Sequence, residues 1–296
     1  MKTFLALAAT VLTLAGATIG SSHIEVNAPP PTRLGRVAVL VLENRSWGQI
    51  VGNPHAPYLN SLMRRAAVAT HYYAITHPSL PNYVALTTGG HKHVNHDCST
   101  CRASGRSLAN QLEAAKISWR AYFESIATPL STTWGHGSAY DPHYNPFAYT
   151  RGLRAPDPIG DVTNFASLRR DLRHRTLPRF SWIAPNVWHD GHNVKLRVVD
   201  RFAKGLVPSI VRALGPRGVL FITWDEGRDA DTQGAHGRGG GHVPLIAIGP
   251  GANTGARVAV RANHYALLRT IESSLGLHAL GHARDHNTPS LNGLLA

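Results

Sequence analysis

The sequence is poor in cysteine, with two among 296 residues, which excludes a fold held together by several disulfides. These residues, Cys98 and Cys101, are separated by two positions. In an oxidising compartment such a spacing favours a short local disulfide. A redox-active dithiol, or half of a zinc site completed by His93 or His96, is the alternative, although neither has its usual sequence context here.

Acidic residues are also scarce: 17 Asp and Glu stand against 30 Lys and Arg, and the formal net charge is +13. Such an excess attracts anionic substrates, anionic lipid surfaces or nucleic acid. The arginines between residues 169 and 175 lack the interleaved aromatic residues of a nucleic-acid platform, so we expect no specific nucleic-acid site. A solvated arginine-rich surface is the simpler interpretation, and charge alone assigns no function.

Long apolar runs are absent beyond about residue 20, so the rest of the chain offers no segment that would cross a bilayer. The run from Phe4 to about Ile19 follows Met1-Lys2 and includes the small residues 15–17, which predicts a secretory signal peptide in residues 1–20. An uncleaved anchor helix is the alternative. Residues 21–35 are a proline-rich spacer, and we expect residues 36–296 to form one domain of an exported, monomeric protein, extracellular or associated with the cell wall.

Short apolar runs alternate with segments of helical periodicity along the rest of the chain. The predicted strands span residues 36–42, 117–123, 180–184, 218–224 and 243–248. The predicted helices span residues 56–66, a short segment ending near 88, 108–115, 165–172, 195–213 with a kink at Pro208, and 265–275. This alternation predicts an α/β fold with a mostly parallel central sheet and helices on both faces. Residues 125–160 are expected to form a long loop that shapes substrate choice.

Two polar pairs follow predicted strands directly. Glu43-Asn44 ends the run 36–42, and Asp225-Glu226 ends the run 218–224. Because ligands of parallel α/β sheets bind beyond the carboxyl ends of the strands, the two pairs can converge on one site. Three carboxylates and an amide offer an oxygen cage for a divalent cation, which suits phosphate chemistry.

Ser79 is the candidate nucleophile. Pro78 and Pro81 stiffen its turn, and Ser79 falls where a helix N-cap is expected. At a helix N-terminus the unpaired backbone N–H groups favour an anion, and a cation nearby would help the hydroxyl to lose its proton. The alternative is that Ser79 only caps the helix.

Five segments together resemble the bacterial phosphoesterase family of the alkaline-phosphatase-like superfamily, which includes secreted acid phosphatases, a phosphatidylinositol 3-phosphate phosphatase and phospholipase C-type enzymes. They occur in the family's order: Glu43-Asn-Arg-Ser46 with 53–59, Thr76-His-Pro-Ser-Leu-Pro-Asn-Tyr83, Pro185-Asn-Val-Trp-His-Asp-Gly191, Thr223-Trp-Asp-Glu-Gly227 and Gly240-Gly-His-Val-Pro244. Each segment alone is a weak signal, whereas five in order, across roughly residues 36 to 277, are specific.

The resemblance implies a role for each matching residue. Metal ligands would be Glu43, Asn44, Asp225 and Glu226, and Ser79 would form a phosphoserine intermediate. His189 would stabilise the phosphoryl oxygens or protonate the leaving group, with Asp190 supporting it. Asn82 and His242 would contact phosphate, with a structural loop histidine as the alternative for His242. The implied cofactor is a divalent metal ion, and a cage dominated by oxygen is less typical of zinc than the double zinc site of alkaline phosphatases proper.

The resemblance also implies the activity, which is a metal-assisted phosphomonoesterase acting on a phosphorylated small molecule or lipid headgroup, with acid phosphatase as the expected type. The short C-terminal region of the chain favours a compact phosphatase over the longer phospholipases. A phospholipase C-type phosphodiesterase is the alternative enzyme. A non-catalytic surface-binding protein on the same fold is the alternative from another class.

Overall fold

The computed structural model describes residues 33–134, 139–153 and 160–296. The predicted signal peptide and most of the predicted spacer lie outside these residues, and so do two parts of the predicted 125–160 loop. None of the helices in the described ranges combines the length and the hydropathy that a bilayer-spanning helix needs.

Twelve strands and seven α-helices make up the described part of the chain. The strands are β1 (Val37–Leu42), β2 (Ala67–Ala69), β3 (Tyr72–Tyr73), β4 (Trp119–Phe123), β5 (Gly160–Asn164), β6 (Phe180–Ala184), β7 (Val219–Trp224), β8 (Gln233–Gly234), β9 (Gly237–Arg238), β10 (Leu245–Ile248), β11 (Arg257–Val258) and β12 (Ala262–Asn263). The helices are α1 (Trp47–Ile50), α2 (Pro57–Arg65), α3 (Ser79–Thr88), α4 (Leu108–Ala114), α5 (Phe165–His174), α6 (Leu196–Leu214) and α7 (His264–Leu275). Short 3₁₀ helices span Pro142–Tyr144, Pro146–Tyr149, Gly281–Arg284 and Asn292–Leu294.

Eight of the strands form the central sheet, in the order β11-β2-β10-β7-β1-β6-β4-β5. Strands β7, β1, β6, β4 and β5 are parallel to one another, and β10 is antiparallel to both of its neighbours. Every residue of β1 and β7 is buried, as their continuous apolar sequences predict for central parallel strands. The α/β fold with a mostly parallel sheet is therefore confirmed.

The helices around the sheet pack in two groups: α2 and α5 contact α6, whereas α4 and α7 contact α3. Helix α6 is continuous through Pro208, where the sequence predicted a kink. The structure joins Cys98 to Cys101 in a disulfide, which confirms the preferred interpretation of that pair. Seven of the described strands were not predicted. Six of them (β2, β3, β8, β9, β11 and β12) have two or three residues, which are too few to display a period, and the seventh is the five-residue edge strand β5.

Candidate active site

The carboxyl ends of β1 and β7 bring the two polar pairs together. These strands are parallel neighbours with Leu42 opposite Trp224, so Glu43 and Asp225 leave the sheet side by side. The backbone N–H of Asn44 donates to Asp225 Oδ1 at 3.1 Å, and the Asn44 side-chain amide donates to Glu226 Oε1 at 2.9 Å. Two pairs about 180 residues apart in sequence are therefore in direct contact.

Ser79 lies against the first of these pairs. Its Oγ donates to Glu43 Oε2 at 3.1 Å and is 3.4 Å from Asn44 Oδ1. Pro78 occupies the cap position and Ser79 is the first residue of α3, one position later than the sequence predicted. The hydroxyl nevertheless remains at the N-terminal end of the helix, where an anion is favoured. The backbone N–H of Leu80, in the first turn of α3, donates to the Asp97 carboxylate at 2.9 Å.

Tyr83 holds the other oxygen of Glu43, and the sequence analysis did not single it out. Its hydroxyl donates to Glu43 Oε1 at 2.5 Å. The spacing from Ser79 to Tyr83 is one helical turn, so both side chains lie on the same face of α3 and contact the same carboxylate. That spacing was the available signal for Tyr83.

His77 and His264 support the second pair, and both were missed among the 18 histidines of the chain. His77 Nδ1 is 2.9 Å from Glu226 Oε2, and this hydrogen bond raises the pKa of His77 to about 9 despite partial burial. His77, Glu226 and Asp229 also bring three ligand atoms within 4.8 Å of one another. His264 Nε2 lies 2.5 Å from the backbone carbonyl oxygen of Asp225.

A cavity of about 270 Å³ opens above Ser79, Glu43 and Asp190. The other lining residues come from three loops and are Asp97, Trp134, Asp141, His143, Tyr144, Val187, His192 and Asn193. Asp190 is fully buried and accepts a hydrogen bond from the Tyr144 hydroxyl at 2.6 Å. Because Trp134, Asp141, His143 and Tyr144 belong to the predicted 125–160 loop, that loop forms much of the cavity wall.

Three residues that the sequence predicted for phosphate binding or catalysis do not line the cavity, and Asn82 is the first of them. It is buried, and its Oδ1 accepts from the backbone N–H groups of Ile75 and Thr76 at 2.9 and 3.1 Å. Its amide donates to the carbonyl oxygens of Thr76 and Pro78 at 2.8 and 3.1 Å, and it lies 3.3 Å from Glu226 Oε2. Asn82 therefore braces the turn that carries Ser79, and it does not line the cavity.

His189 and His242 are also outside the cavity lining. His189 Nδ1 is 2.8 Å from Glu124 Oε2, and its ring stacks on Phe202 with centroids 5.1 Å apart. His242 stacks on Trp47 with centroids 5.0 Å apart, and its Nε2 is 2.9 Å from the Thr70 carbonyl oxygen. Among the residues that the structure describes, the histidines that line the cavity are His143 and His192, which the sequence motifs did not indicate.

The buried carboxylates of the site repel one another. Burial first, and then the charges of Asp225, Asp190 and Glu226, raise the pKa of Glu43 well above its usual value. Burial and the charge of Glu226 raise the pKa of Asp225 in the same way. Neighbouring carboxylates that are shielded from water are stabilised by protonation or by a bound cation.

The donor set fits a divalent cation. Asp225 Oδ2 is buried and has no hydrogen-bond partner among the described residues, so an oxygen of this cluster is left for another ligand. The Ser79 hydroxyl, the Asn44 amide and the carboxylates of Glu43 and Glu226 add further oxygens. Carboxylate, amide and hydroxyl oxygens are the ligands that hard divalent ions prefer.

Solved structures with the same fold belong to several enzymes. A protein of the alkaline phosphatase superfamily from Vibrio parahaemolyticus aligns with a TM-score of 0.60 at 12% identity, over 90% of this chain and 74% of that one. Murine ectonucleotide pyrophosphatase/phosphodiesterase 5 aligns with a TM-score of 0.54 at 11% identity, over 88% of this chain and 100% of that one. The periplasmic domain of EptC from Escherichia coli, solved in complex with zinc, has a TM-score of 0.53 at 10% identity, over 88% of this chain and 95% of that one. Identities this low establish the shared fold.

Sequence relatives are more specific. The phosphatidylinositol-3-phosphatase of Mycobacterium tuberculosis is 26% identical over 87% of this chain and 82% of its own length. A probable acid phosphatase of Kluyveromyces lactis is 25% identical over 85% of this chain, but the match spans only 61% of that protein. The sequence model of the Phosphoesterase family matches residues 53–278, which include Ser79, Asp225 and Glu226. The resemblance seen in the sequence motifs is thereby confirmed, and the chain belongs to the Phosphoesterase family.

Proposed function

We propose that the chain is a secreted, metal-assisted phosphomonoesterase that works through a phosphoserine at Ser79. Family membership makes it a hydrolase of phosphate esters, and the acid phosphatase relatives favour the monoesterase type. The observation that supports the phosphoserine mechanism is the contact of the Ser79 hydroxyl with Glu43 and Asn44. The two distances are 3.1 and 3.4 Å, and Ser79 and Glu43 line the same cavity.

Ser79 is the nucleophile in this mechanism. Its Oγ attacks phosphorus as the ester oxygen leaves, and Glu43 Oε2 is the acceptor within reach of the hydroxyl proton. Tyr83 holds the other oxygen of Glu43 and so fixes the orientation of that acceptor. Water then attacks the phosphoserine, releases phosphate and restores the hydroxyl.

His143 is the proposed acid that protonates the leaving alcohol, in place of His189. It lines the same cavity as Ser79, and its Nδ1 is 3.1 Å from Asp141 Oδ1. Burial lowers the pKa of His143, but the hydrogen bond and the charges of Asp141 and Asp97 outweigh this and raise the pKa overall. A raised pKa keeps the imidazole protonated and ready to donate.

The cation would be held by Glu43, Asn44, Asp225 and Glu226, with Ser79 beside it. A divalent ion supplies charge stabilisation to phosphoryl oxygens and lowers the pKa of a hydroxyl near it. His77 orients Glu226, and its hydrogen bond partly offsets the burial that raises the pKa of Glu226.

The proposed substrates are phosphorylated small molecules or lipid headgroups, and phosphoinositides are a specific candidate because of the mycobacterial relative. Export, to the extracellular space or the cell wall, rests on the predicted signal peptide in residues 1–20. The trapping of phosphate on one serine tests the mechanism. Acid quenching during turnover of p-nitrophenyl phosphate should leave a phosphoryl group on the peptide that contains Ser79.

The same experiment on Ser79→Ala should trap no phosphoryl group, and kcat of this variant should fall by roughly 10³-fold or more. Ser61→Ala, at a partly exposed position of α2 outside the cavity lining, is the control and should keep both. Near-normal turnover by Ser79→Ala would remove Ser79 from the mechanism. Assays of inositol-phosphate lipids separate the alternatives, since a monoesterase releases inorganic phosphate and a phospholipase C-type diesterase releases diacylglycerol.

A further inference from the structure

A groove of about 680 Å³ lies between α5 and α6, and Ser79 is not among the residues that line it. Its floor is apolar and includes Leu172, Phe202 and Leu206, which are only partly buried. Its rim is strongly basic, with Arg169, Arg173, Arg175, Arg201 and Arg212. An apolar floor with guanidinium groups along the rim matches a ligand that has both an apolar part and negative charge.

These five arginines have no anionic partner within the part of the chain that the structure describes. The neighbouring Arg120 and Arg170 pair with Asp171, but none of the five forms an ion pair with a described carboxylate. Glu124, the acidic residue of the lining, is engaged by His189 at 2.8 Å. The positive charge of the rim is therefore uncompensated and available to an external anion.

Gly205 gives independent evidence that the groove is kept open. It lies in the interior of α6 and lines the groove, and its φ is not in the left-handed region. A Cβ added at Gly205 would meet no atom within 4 Å, so the packing of the protein does not require glycine there. Glycine destabilises a helix interior relative to alanine, and at this position its absent side chain leaves room on the groove floor.

The groove shares a loop with the active-site cavity. Val187 and Asp190 line the cavity, whereas His189 between them stacks on Phe202 of the groove. Trp188, in the same loop, has 61% of its surface exposed. Exposed tryptophan is typical of surfaces that insert at the boundary between water and a bilayer.

We propose that the α5–α6 groove and Trp188 form a docking surface for a bilayer that contains anionic phospholipids. Basic charge continues beyond the groove to Arg197 and Lys204, which line an adjacent hollow with Arg201. A positive area of this extent fits a continuous polyanionic surface better than a single acidic peptide helix, which would occupy the groove alone. The docking does not depend on the proposed phosphatase activity and is measured separately from it.

Co-sedimentation of the full chain with extruded vesicles tests the docking surface. The vesicles contain phosphatidylcholine alone or phosphatidylcholine with phosphatidylglycerol, and the protein carries Ser79→Ala so that no lipid is consumed. Because the apolar run from Phe4 to Ile19 would bind either kind of vesicle, the readout is the ratio of the two partition coefficients. We expect the anionic vesicles to bind at least tenfold more strongly.

Two pairs of variants locate the effect. Arg169→Glu with Arg173→Glu should lower the ratio about tenfold or more, whereas Arg106→Glu with Arg284→Glu, which makes the same change of charge outside the groove, should change it much less. Gly205→Glu should lower the ratio several-fold, and Gly205→Ala should leave it unchanged. Both Gly205 variants should remain folded, since the added atoms enter open space.

Three results would overturn the proposal. Equal binding to the two kinds of vesicle would show no preference for anionic lipid. An equal loss in both double variants would reduce the effect to overall charge. Failure to bind anionic vesicles, together with capture of a synthetic acidic amphipathic helix by the groove, would assign it to a protein partner instead.

Discussion

The buried carboxylates at the ends of β1 and β7 and the buried carboxylate of Glu272 in α7 differ in what surrounds them. Glu272 is fully buried, and burial raises its pKa to about 9. Its Oε1 accepts from the Leu280 backbone N–H at 3.0 Å, and its Oε2 has no partner among the described residues. Asp225 is equally buried and also has one unpartnered oxygen in the described structure.

Burial, a raised pKa and an unpartnered oxygen are therefore shared by both regions and do not mark a site by themselves. Asp225 differs from Glu272 in the groups that surround it. Three further carboxylates, a serine hydroxyl at a helix N-terminus and a cavity lie around it, whereas Glu272 stands alone and lines none of the cavities described above. A single buried acid can remain neutral, but a cluster of them is suited to a cation.

The largest effect expected from this contrast is on turnover. Asp225→Asn should lower kcat by roughly 10³-fold or more, because it removes an anionic ligand from the cluster. The variant should still unfold cooperatively, since asparagine keeps an oxygen to accept from Asn44 and relieves repulsion with Glu226. Glu272→Gln is the matched control and should keep kcat. Loss of the folded state in Asp225→Asn would make the pair structural.

Glu272 should contribute to the pH dependence of stability although it takes no part in turnover. The pKa of Glu272 is raised from 4.5 to about 9, so the folded state holds this proton more tightly than the unfolded state does. Its contribution to stability is complete below about pH 4.5 and is lost as the pH rises through about 9. Over that window the free energy of unfolding should fall by up to about 1.4 kcal/mol per pH unit.

Glu272→Gln should remove the contribution of Glu272, so that urea unfolding midpoints fall less steeply across the same window. The raised pKa values of Glu43 and Asp225 leave a remaining slope of the same sign. Asp285→Asn, which changes an exposed carboxylate paired with His282, should leave the slope in place. An unchanged slope in Glu272→Gln would mean that Glu272 is ionised in the folded protein.

A divalent cation should stabilise the protein through the carboxylates at the ends of β1 and β7, and this effect should not depend on Glu272. Chelator treatment should abolish turnover, and restoring a suitable divalent ion at about 100 times its Kd should stabilise the fold by about 2.7 kcal/mol. The Tm of Glu272→Gln should rise with the ion as the unmodified protein's does. The Tm of Asp225→Asn should respond far less, and an equal response would place the ion at another site.

The sequence predicted the fold and the meeting of the two polar pairs correctly, because both depend on local pattern. Continuous apolar runs identified β1 and β7, and strand ends placed Glu43 and Asp225 at one edge of the sheet. That Ser79 would reach this edge was a hypothesis, and the structure places its hydroxyl 3.1 Å from Glu43 Oε2. Glu43 and Asp225 could be placed together because the carboxyl ends of neighbouring parallel strands lie at the same edge of a sheet.

The outer residues of the site could not be predicted in the same way. His189 lies next to Asp190 in the motif, but consecutive residues of the loop face different cavities, so His189 contacts Glu124 and Phe202. Asn82 was expected to bind phosphate, yet its amide is used by the backbone of its own turn. Tyr144 and His143 reach the cavity from a long loop without periodicity, and no sequence pattern specifies such a path.

The smallest effect expected belongs to Asp141, which acts on the proposed acid without contacting the reacting atoms. Its carboxylate contacts both the ring and the backbone N–H of His143 and helps to raise the pKa of that histidine. A raised histidine pKa means that the acid is present at low pH and is lost as the pH rises through the pKa. Asp141→Asn lowers this pKa, so the basic limb of the kcat profile for p-nitrophenyl phosphate should move to lower pH.

At a fixed pH on that limb the loss should be roughly tenfold, which corresponds to about 1.4 kcal/mol. The acidic limb should not move, and KM should change little. His143→Gln should lower kcat further and remove the basic limb, whereas Asp285→Asn, whose carboxylate pairs with an exposed histidine outside the cavity, should leave the profile unchanged. A uniform loss at every pH in Asp141→Asn would show that Asp141 only supports the loop. The next candidate for the proton donor would then be His192, which also lines the described part of the cavity.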